Sequence, residues 1–188
     1  MDKGRELEKI AKEIKKCSIC KQKKSGKAVP GEGNPDAKIV FVGEAPGRQE
    51  AKTGRPFVGR SGKFLRSHIR EIGLKEEDVY ITSPVKYLPN RGTPSKSHIE
   101  HGRVHLMKQL KVINPKVIVL LGAVACFGVL GEQILISKRH GDVVEKNNKK
   151  YFITFHPSAA LRFPPIKKLF VEDFRRLKSL ISLEKLMV

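Results

Sequence analysis

Gly43-Glu44-Ala45-Pro46-Gly47 is followed by Glu50 and by Gly54-Arg55-Pro56-Phe57-Val58-Gly59, and far downstream the chain reads His156-Pro157-Ser158-Ala159-Ala160-Leu161-Arg162. The first segment offers closely approachable backbone N–H groups, the carboxylate of Glu50 and the flat face of Phe57. That set suits a planar, hydrogen-bonding ring. An isolated Phe is more often packing than platform, but four glycines and two prolines in seventeen residues mark a loop, and loops bury little. In the second segment His156 is a credible donor to a developing anion. Leu161 supplies an apolar wedge and Arg162 a cation, the two features an enzyme needs to extrude a base from a duplex and hold the phosphate beside it. A third set, Cys17-x-x-Cys20, reads as metal or redox chemistry rather than a disulfide framework, because the three cysteines are an odd number. Cys126, inside the apolar run from Ala123 to Phe127, reads as a small buried hydrophobe.

The elements that must position these residues follow from periodicity. Strand-like runs occur at 38–43, 78–83, 116–121 and 151–155, separated by helical patterns at about 61–73, 97–113 and 123–130. Alternation of this kind predicts a mainly parallel sheet covered on both faces. Both Gly/Pro segments then begin at strand carboxyl ends, where α/β sheets open their ligand crevices. Val143–Glu145 and Tyr151–Ile153, joined by Lys146-Asn147-Asn148-Lys149, read as a hairpin at one side of the sheet. An amino-terminal helix carries Leu7, Ile10, Ala11 and Ile14, and a last helix from near Pro165 carries Phe170, Phe174, Leu177, Leu180 and Ile181 on one face.

Composition narrows the partner. Among 188 residues, 38 Lys and Arg stand against 19 Asp and Glu, a formal charge of +19. A polyanion binder needs such an excess and a small-molecule enzyme does not, so nucleic acid is the leading partner. The Lys-rich stretch from Lys21 to Lys27 leans towards DNA contact, whereas the cations of the last helix read as a solvated face. Without a Walker lysine or a Gly-x-Gly-x-x-Gly, nucleotide-cofactor chemistry lacks its phosphate cradle. No apolar run approaches the ~20 residues of a membrane span, and the amino terminus does not read as a signal peptide. A single unit over 1–188 is expected, with 1–36 as helix and connector and 37–188 as the α/β core. The expected setting is the cytoplasm, at the nucleoid if the cell is prokaryotic.

Together these segments carry a resemblance. Val29-Pro30-Gly31-Glu32-Gly33-Asn34-Pro35, Gly43 to Gly47, Lys52 to Gly59, Leu120-Leu121-Gly122 and His156-Pro157-Ser158 are similar to the uracil-DNA glycosylases of family 4, over nearly the full length. The resemblance implies a three-layer α/β/α sandwich on a four-stranded, mainly parallel sheet. It implies hydrolysis of the uracil–deoxyribose bond in DNA, by a monomer that needs no cofactor for the chemistry. It assigns Glu44 and Ala45 as backbone donors of the base pocket, Phe57 as stacking ring, His156 as stabiliser of the uracil anion, and Glu50 to water or to charge on the sugar. Leu161 enters the duplex, and Ser158, Arg162 and Lys86 complete the DNA-contacting set.

Two positions depart from the family pattern. Ser83 stands where an Asn amide reads the base, which predicts weaker discrimination and activity on other deaminated bases such as hypoxanthine or xanthine. Asn90 is weighed equally as a supplier of a replacement amide or backbone contact to the base, or as a turn residue. The family's four-iron cluster needs four cysteines; Cys17 and Cys20 match, but the other positions hold Tyr87 and, approximately, His101. Three readings follow: loss of the cluster, which is favoured; a mixed site completed by His101 with His105 or His98; or zinc in a Cys2His2 site. The alternative to an enzyme is a weakly catalytic or non-catalytic DNA-binding module on the same fold. A self-trapping glycosylase is disfavoured, since Gly47 to Gly54 holds no inserted loop and no His.

Overall fold

The computed structural model describes residues 2–90 and 92–186, the side chains of 185 and 186 excepted. Along the chain the helices are α1 (Lys3–Lys16), α2 (Ser18–Lys21), α3 (Arg48–Thr53), α4 (Arg60–Glu71), α5 (Lys96–Ile113), α6 (Ala123–Leu130), α7 (Ile136–Arg139), α8 (Pro157–Arg162) and α9 (Pro164–Leu186). The strands are β1 (Lys24–Ser25), β2 (Glu32–Gly33), β3 (Ile39–Val42), β4 (Val79–Thr82), β5 (Leu88–Pro89), β6 (Val117–Leu121), β7 (Val143–Lys146) and β8 (Lys149–Thr154).

The main sheet runs β2-β4-β3-β6-β8-β7. Its four inner strands β4, β3, β6 and β8 are parallel, and both edges are antiparallel. Six strands therefore replace the four expected. The inner four are those read from the sequence, and β7 is the outer arm of the hairpin. Three strands were missed, β2 at the edge of this sheet and β1 and β5, which pair with each other in a separate two-stranded sheet; each is two residues long, too short for any periodicity.

Alternation along the buried strands explains the layers. Val40, Val42, Ile118, Leu120 and Ile153 face one way and pack with Leu7, Ile10 and Ile14 of α1 and Leu106, Leu110 and Ile113 of α5. Ile39, Phe41, Val117, Val119 and Phe152 face the other way, onto Leu65 and Ile69 of α4 and Phe170, Phe174 and Leu177 of α9. Covering both faces is why these strands read as continuous apolar runs. Among the described residues no helix is long and apolar enough to cross a membrane.

The parallel strands deliver four loops to one end of the sheet: Gly43 after β3, Ser83 after β4, Gly122 after β6 and His156 after β8. From β3 the chain moves first to β4 on one side and later to β6 on the other. A reversal of this kind is where open α/β sheets hold ligands.

Candidate active site

Phe57 is the most constrained residue of the crevice. Its φ is +51°, in the left-handed region that a bulky residue enters only when its surroundings enforce it. Two clamps do so. From α3, Glu50 Oε1 accepts the N–H groups of Val58 (2.8 Å) and Gly59 (2.7 Å). From α4, Arg66 donates to the Phe57 carbonyl (3.0 Å) and the Pro56 carbonyl (2.9 Å), and is itself held by Glu32 and Glu76 at 2.6 Å each. Two glycines make room: a Cβ on Gly43 would overlap the Phe57 ring, and one on Gly62 would overlap the Phe57 backbone. The half-buried ring is left as a fixed apolar platform on the pocket wall.

His156 stands across from it, ring centroids 6.0 Å apart and tilted by 35°. It is the N-cap of α8, and its Nδ1 accepts the N–H of Ser158 at 3.2 Å, with the Ser158 hydroxyl at 2.7 Å. A backbone N–H can only donate, so Nδ1 carries no proton and the neutral ring bears it on Nε2. Desolvation lowers the His156 pKa to about 4, so the ring is neutral at physiological pH. A neutral imidazole held in one tautomer, with an N–H to give, is the arrangement that stabilises an anion without itself starting charged.

The cavity between these residues is about 340 Å³ and is also lined by Ala45, Gly47, Glu50 and Ser83. That volume fits a small planar ligand. Arg48 and Arg60, both exposed, stand at its mouth.

Several expected site residues lie elsewhere. Lys86 cannot touch DNA: it is fully buried, and its Nζ donates to Pro30 O (2.9 Å), Thr82 Oγ1 (2.8 Å) and Gln109 Oε1 (2.8 Å). Burial lowers its pKa to about 7. Its work is to hold the Val29–Pro30 segment, since Val29 also donates to the Lys86 carbonyl and lines the pocket. Glu44 and Asn90 do not line the base-sized cavity either. Both face a neighbouring concavity on the other side of the 45–48 segment, where burial raises the Glu44 pKa. Asn90 is exposed in a bend just after β5, and its N–H is spent on the Lys23 carbonyl, as befits a turn residue. Ser158 lines the pocket, but its hydroxyl is engaged by His156. Lys24, in the stretch read as DNA-facing, is buried and donates to the carbonyls of Cys20 and Gln22. Leu161 is half-buried and Arg162 exposed, both in the last turn of α8; next to them Phe163 is 48% exposed.

Sequence reasoning missed Arg66, Gly62, Arg48, Arg60 and Phe163. An exposed Phe directly after Leu161-Arg162 was a usable signal for a second apolar wedge. Arg66 had none, because its partners lie 9, 10 and 34 positions away.

The Cys17–Cys20 pair meets α5. The ligand-capable atoms of Cys17, Cys20, His101 and His105 all lie within 4.8 Å of one another, a group able to hold a metal ion. His98 is not among them. This cluster shares no residue with the pocket.

The fold and the crevice define a class, a small cavity beside a fixed aromatic ring at the strand ends of a doubly wound sheet in a strongly basic chain, and sequence comparison names the family. Residues 30–178 match the family model described as the uracil DNA glycosylase superfamily, and the chain belongs to that family. Its relatives include proteins named type-4 uracil-DNA glycosylase. That of Thermotoga maritima is 42% identical over 95% of this chain and 96% of its own length. That of Saccharolobus solfataricus is 42% identical over 94% and 87%, and that of Archaeoglobus fulgidus 40% identical over 93% and 92%.

Proposed function

We propose that this chain is a monofunctional DNA glycosylase of base-excision repair, which flips uracil out of DNA and hydrolyses its bond to deoxyribose, leaving an abasic site. The observation that carries the reading is the neutral, tautomer-fixed His156 beside the clamped ring of Phe57 in one base-sized cavity. In this mechanism Phe57 stacks on the extruded base and the backbone at Ala45 to Gly47 lines its edge. His156 Nε2–H donates to the oxygen that gains charge as the bond to the sugar breaks. Extrusion costs a few kcal/mol, least for mispaired or single-stranded uracil. Leu161 and Phe163 fill the vacated stack, and Arg48, Arg60 and Arg162 meet the phosphates. The chemistry needs no cofactor, a monomer suffices for it, and its setting is the cytoplasm, at the nucleoid if the cell is prokaryotic.

The test is a uracil-containing oligonucleotide incubated with the protein and then treated with alkali. Strand cleavage only after alkali is expected. Binding without alkali-labile product would support the non-catalytic module, and a stable covalent adduct would point to self-trapping.

Glu50 requires its own test, because its Oε1 is committed to the Phe57 loop. As a clamp, its charge is secondary to its acceptor oxygen, which Gln retains. Glu50→Gln is expected to keep most of the activity and the melting temperature. Glu50→Ala strands two N–H groups at about 1–3 kcal/mol each and lowers both activity and melting temperature. Loss of activity in Glu50→Gln equal to that in Glu50→Ala, at unchanged stability, would instead give the carboxylate a direct part in the reaction.

A further inference from the structure

The family resemblance implies a four-iron cluster held by four thiolates, and the residues present do not fit one. At one of the missing cysteine positions, Tyr87 is 4% exposed and its hydroxyl donates to the Lys15 carbonyl at 3.3 Å, with the Ile14 carbonyl at 3.5 Å. The phenol ring thus fills its space in the core, engaged with the end of α1. Near the other stands His101, one helical turn before His105 on the same face of α5.

We propose that Cys17, Cys20, His101 and His105 form a structural zinc site that takes the place of the cluster. The spacing is that of a Cys2His2 site, Cys-x2-Cys on one element and His-x3-His on a helix. The four donor atoms lie within 4.8 Å of one another, close to a tetrahedral shell around one ion with metal–ligand bonds of about 2.0–2.3 Å. Cys17 Sγ is only 3.1 Å from His101 Nε2. That contact sets a sulfur and an imidazole side by side as ligands of one ion, whereas a two-iron cluster with two Cys and two His keeps its cysteines on one iron and its histidines on the other. Around the donors the structure is already ordered. The Cys20 N–H donates to Cys17 Sγ at 3.4 Å, and Lys24 Nζ donates to the Cys20 carbonyl at 2.9 Å. His105 is 7% exposed, and its Nδ1 has no hydrogen-bond partner among the described residues.

Binding releases the two thiol protons to solvent, and the two thiolates and two neutral imidazoles around Zn²⁺ leave the centre uncharged. Such a site pins the junction of α1 and α2 to α5 across 84 residues of sequence, and zinc has no redox chemistry. The amino-terminal arm would thus be held without the electron-transfer capacity of a cluster.

The test is elemental analysis of the freshly purified full chain, followed by exchange with Co²⁺. Expected are stoichiometric zinc, no iron or sulfide, a colourless preparation, and visible d–d bands of a tetrahedral sulfur–nitrogen Co²⁺ site. Cys20→Ser and His105→Ala should each lose the zinc and the bands, and stripped wild-type protein should melt several degrees lower and recover with Zn²⁺ but not Mg²⁺. A brown, iron- and sulfide-containing protein would overturn the proposal. So would wild-type protein that neither carries zinc nor takes up Co²⁺, and these wild-type readings stand even if the variants fail to fold. None of the readouts depends on glycosylase activity.

Discussion

His156→Ala lowers single-turnover excision of uracil by about 10²–10³-fold and leaves DNA binding near the wild-type level. The size follows from what the residue does. Breaking the bond between base and sugar places negative charge on the base, and the His156 ring beside Phe57 offers a side-chain N–H in a fixed tautomer to meet it. A preorganised donor in a site that excludes water is worth about 3–4 kcal/mol in the transition state and little in the ground state. In the proposed function DNA binding rests instead on Arg48, Arg60 and Arg162, which the substitution does not touch. The protonation state gives an independent reading. Because the His156 pKa is depressed to about 4, its neutral form persists from about pH 8 down to about pH 5. The His156 contribution should be level across that interval, with no rise as pH falls through the ordinary histidine range. A rise near pH 6.5 that disappears in His156→Ala would show that imidazolium is the working form, and unchanged excision in His156→Ala would remove the residue from the mechanism.

Why the sequence revealed His156 and Phe57 but misplaced Lys86 is a matter of which constraints are local. A His directly after a strand-like run and before a Pro must sit at a strand end, and a Phe among glycines must sit in a loop; both inferences need only neighbouring residues. Lys86 follows Val85 in a similar setting, and its type argues for the surface. What turns it inward is the triple acceptor formed by Pro30, Thr82 and Gln109, which exists only after α5 and the Pro30 segment pack together. Arg66 was hidden for the same reason. The inner sheet was legible because four buried runs announce themselves, whereas β2 carries no pattern of its own and pairs with β4 through tertiary placement. The metal group falls between these cases. The cysteine pair was visible in the sequence, but the choice of His105 over His98 depended on which face of α5 meets α2.

Ser83→Asn is expected to raise the kcat/KM for uracil by about tenfold and to sharpen rejection of hypoxanthine and xanthine. Ser83 lines the pocket and is buried, but its hydroxyl donates to the Val85 carbonyl at 2.8 Å. With its one proton committed, the side chain has only lone pairs to offer the base. The edge of uracil presents a carbonyl oxygen beside an N–H, and an amide answers both at once. Each buried hydrogen bond contributes about 0.5–1.5 kcal/mol, so the two bonds of the amide together set the tenfold scale. If Ser83 is the position that reads the base, the wild-type pocket is expected to select by shape and stacking on Phe57 more than by hydrogen-bond pattern, and selection of that kind discriminates weakly between similar rings. Competition between uracil-, hypoxanthine- and xanthine-containing oligonucleotides, with wild type and Ser83→Asn side by side, measures the effect. If the wild type already rejects both purines and the substitution changes neither rate nor preference, the base is being read by other groups, and the backbone of Ala45 to Gly47 becomes the place to find them.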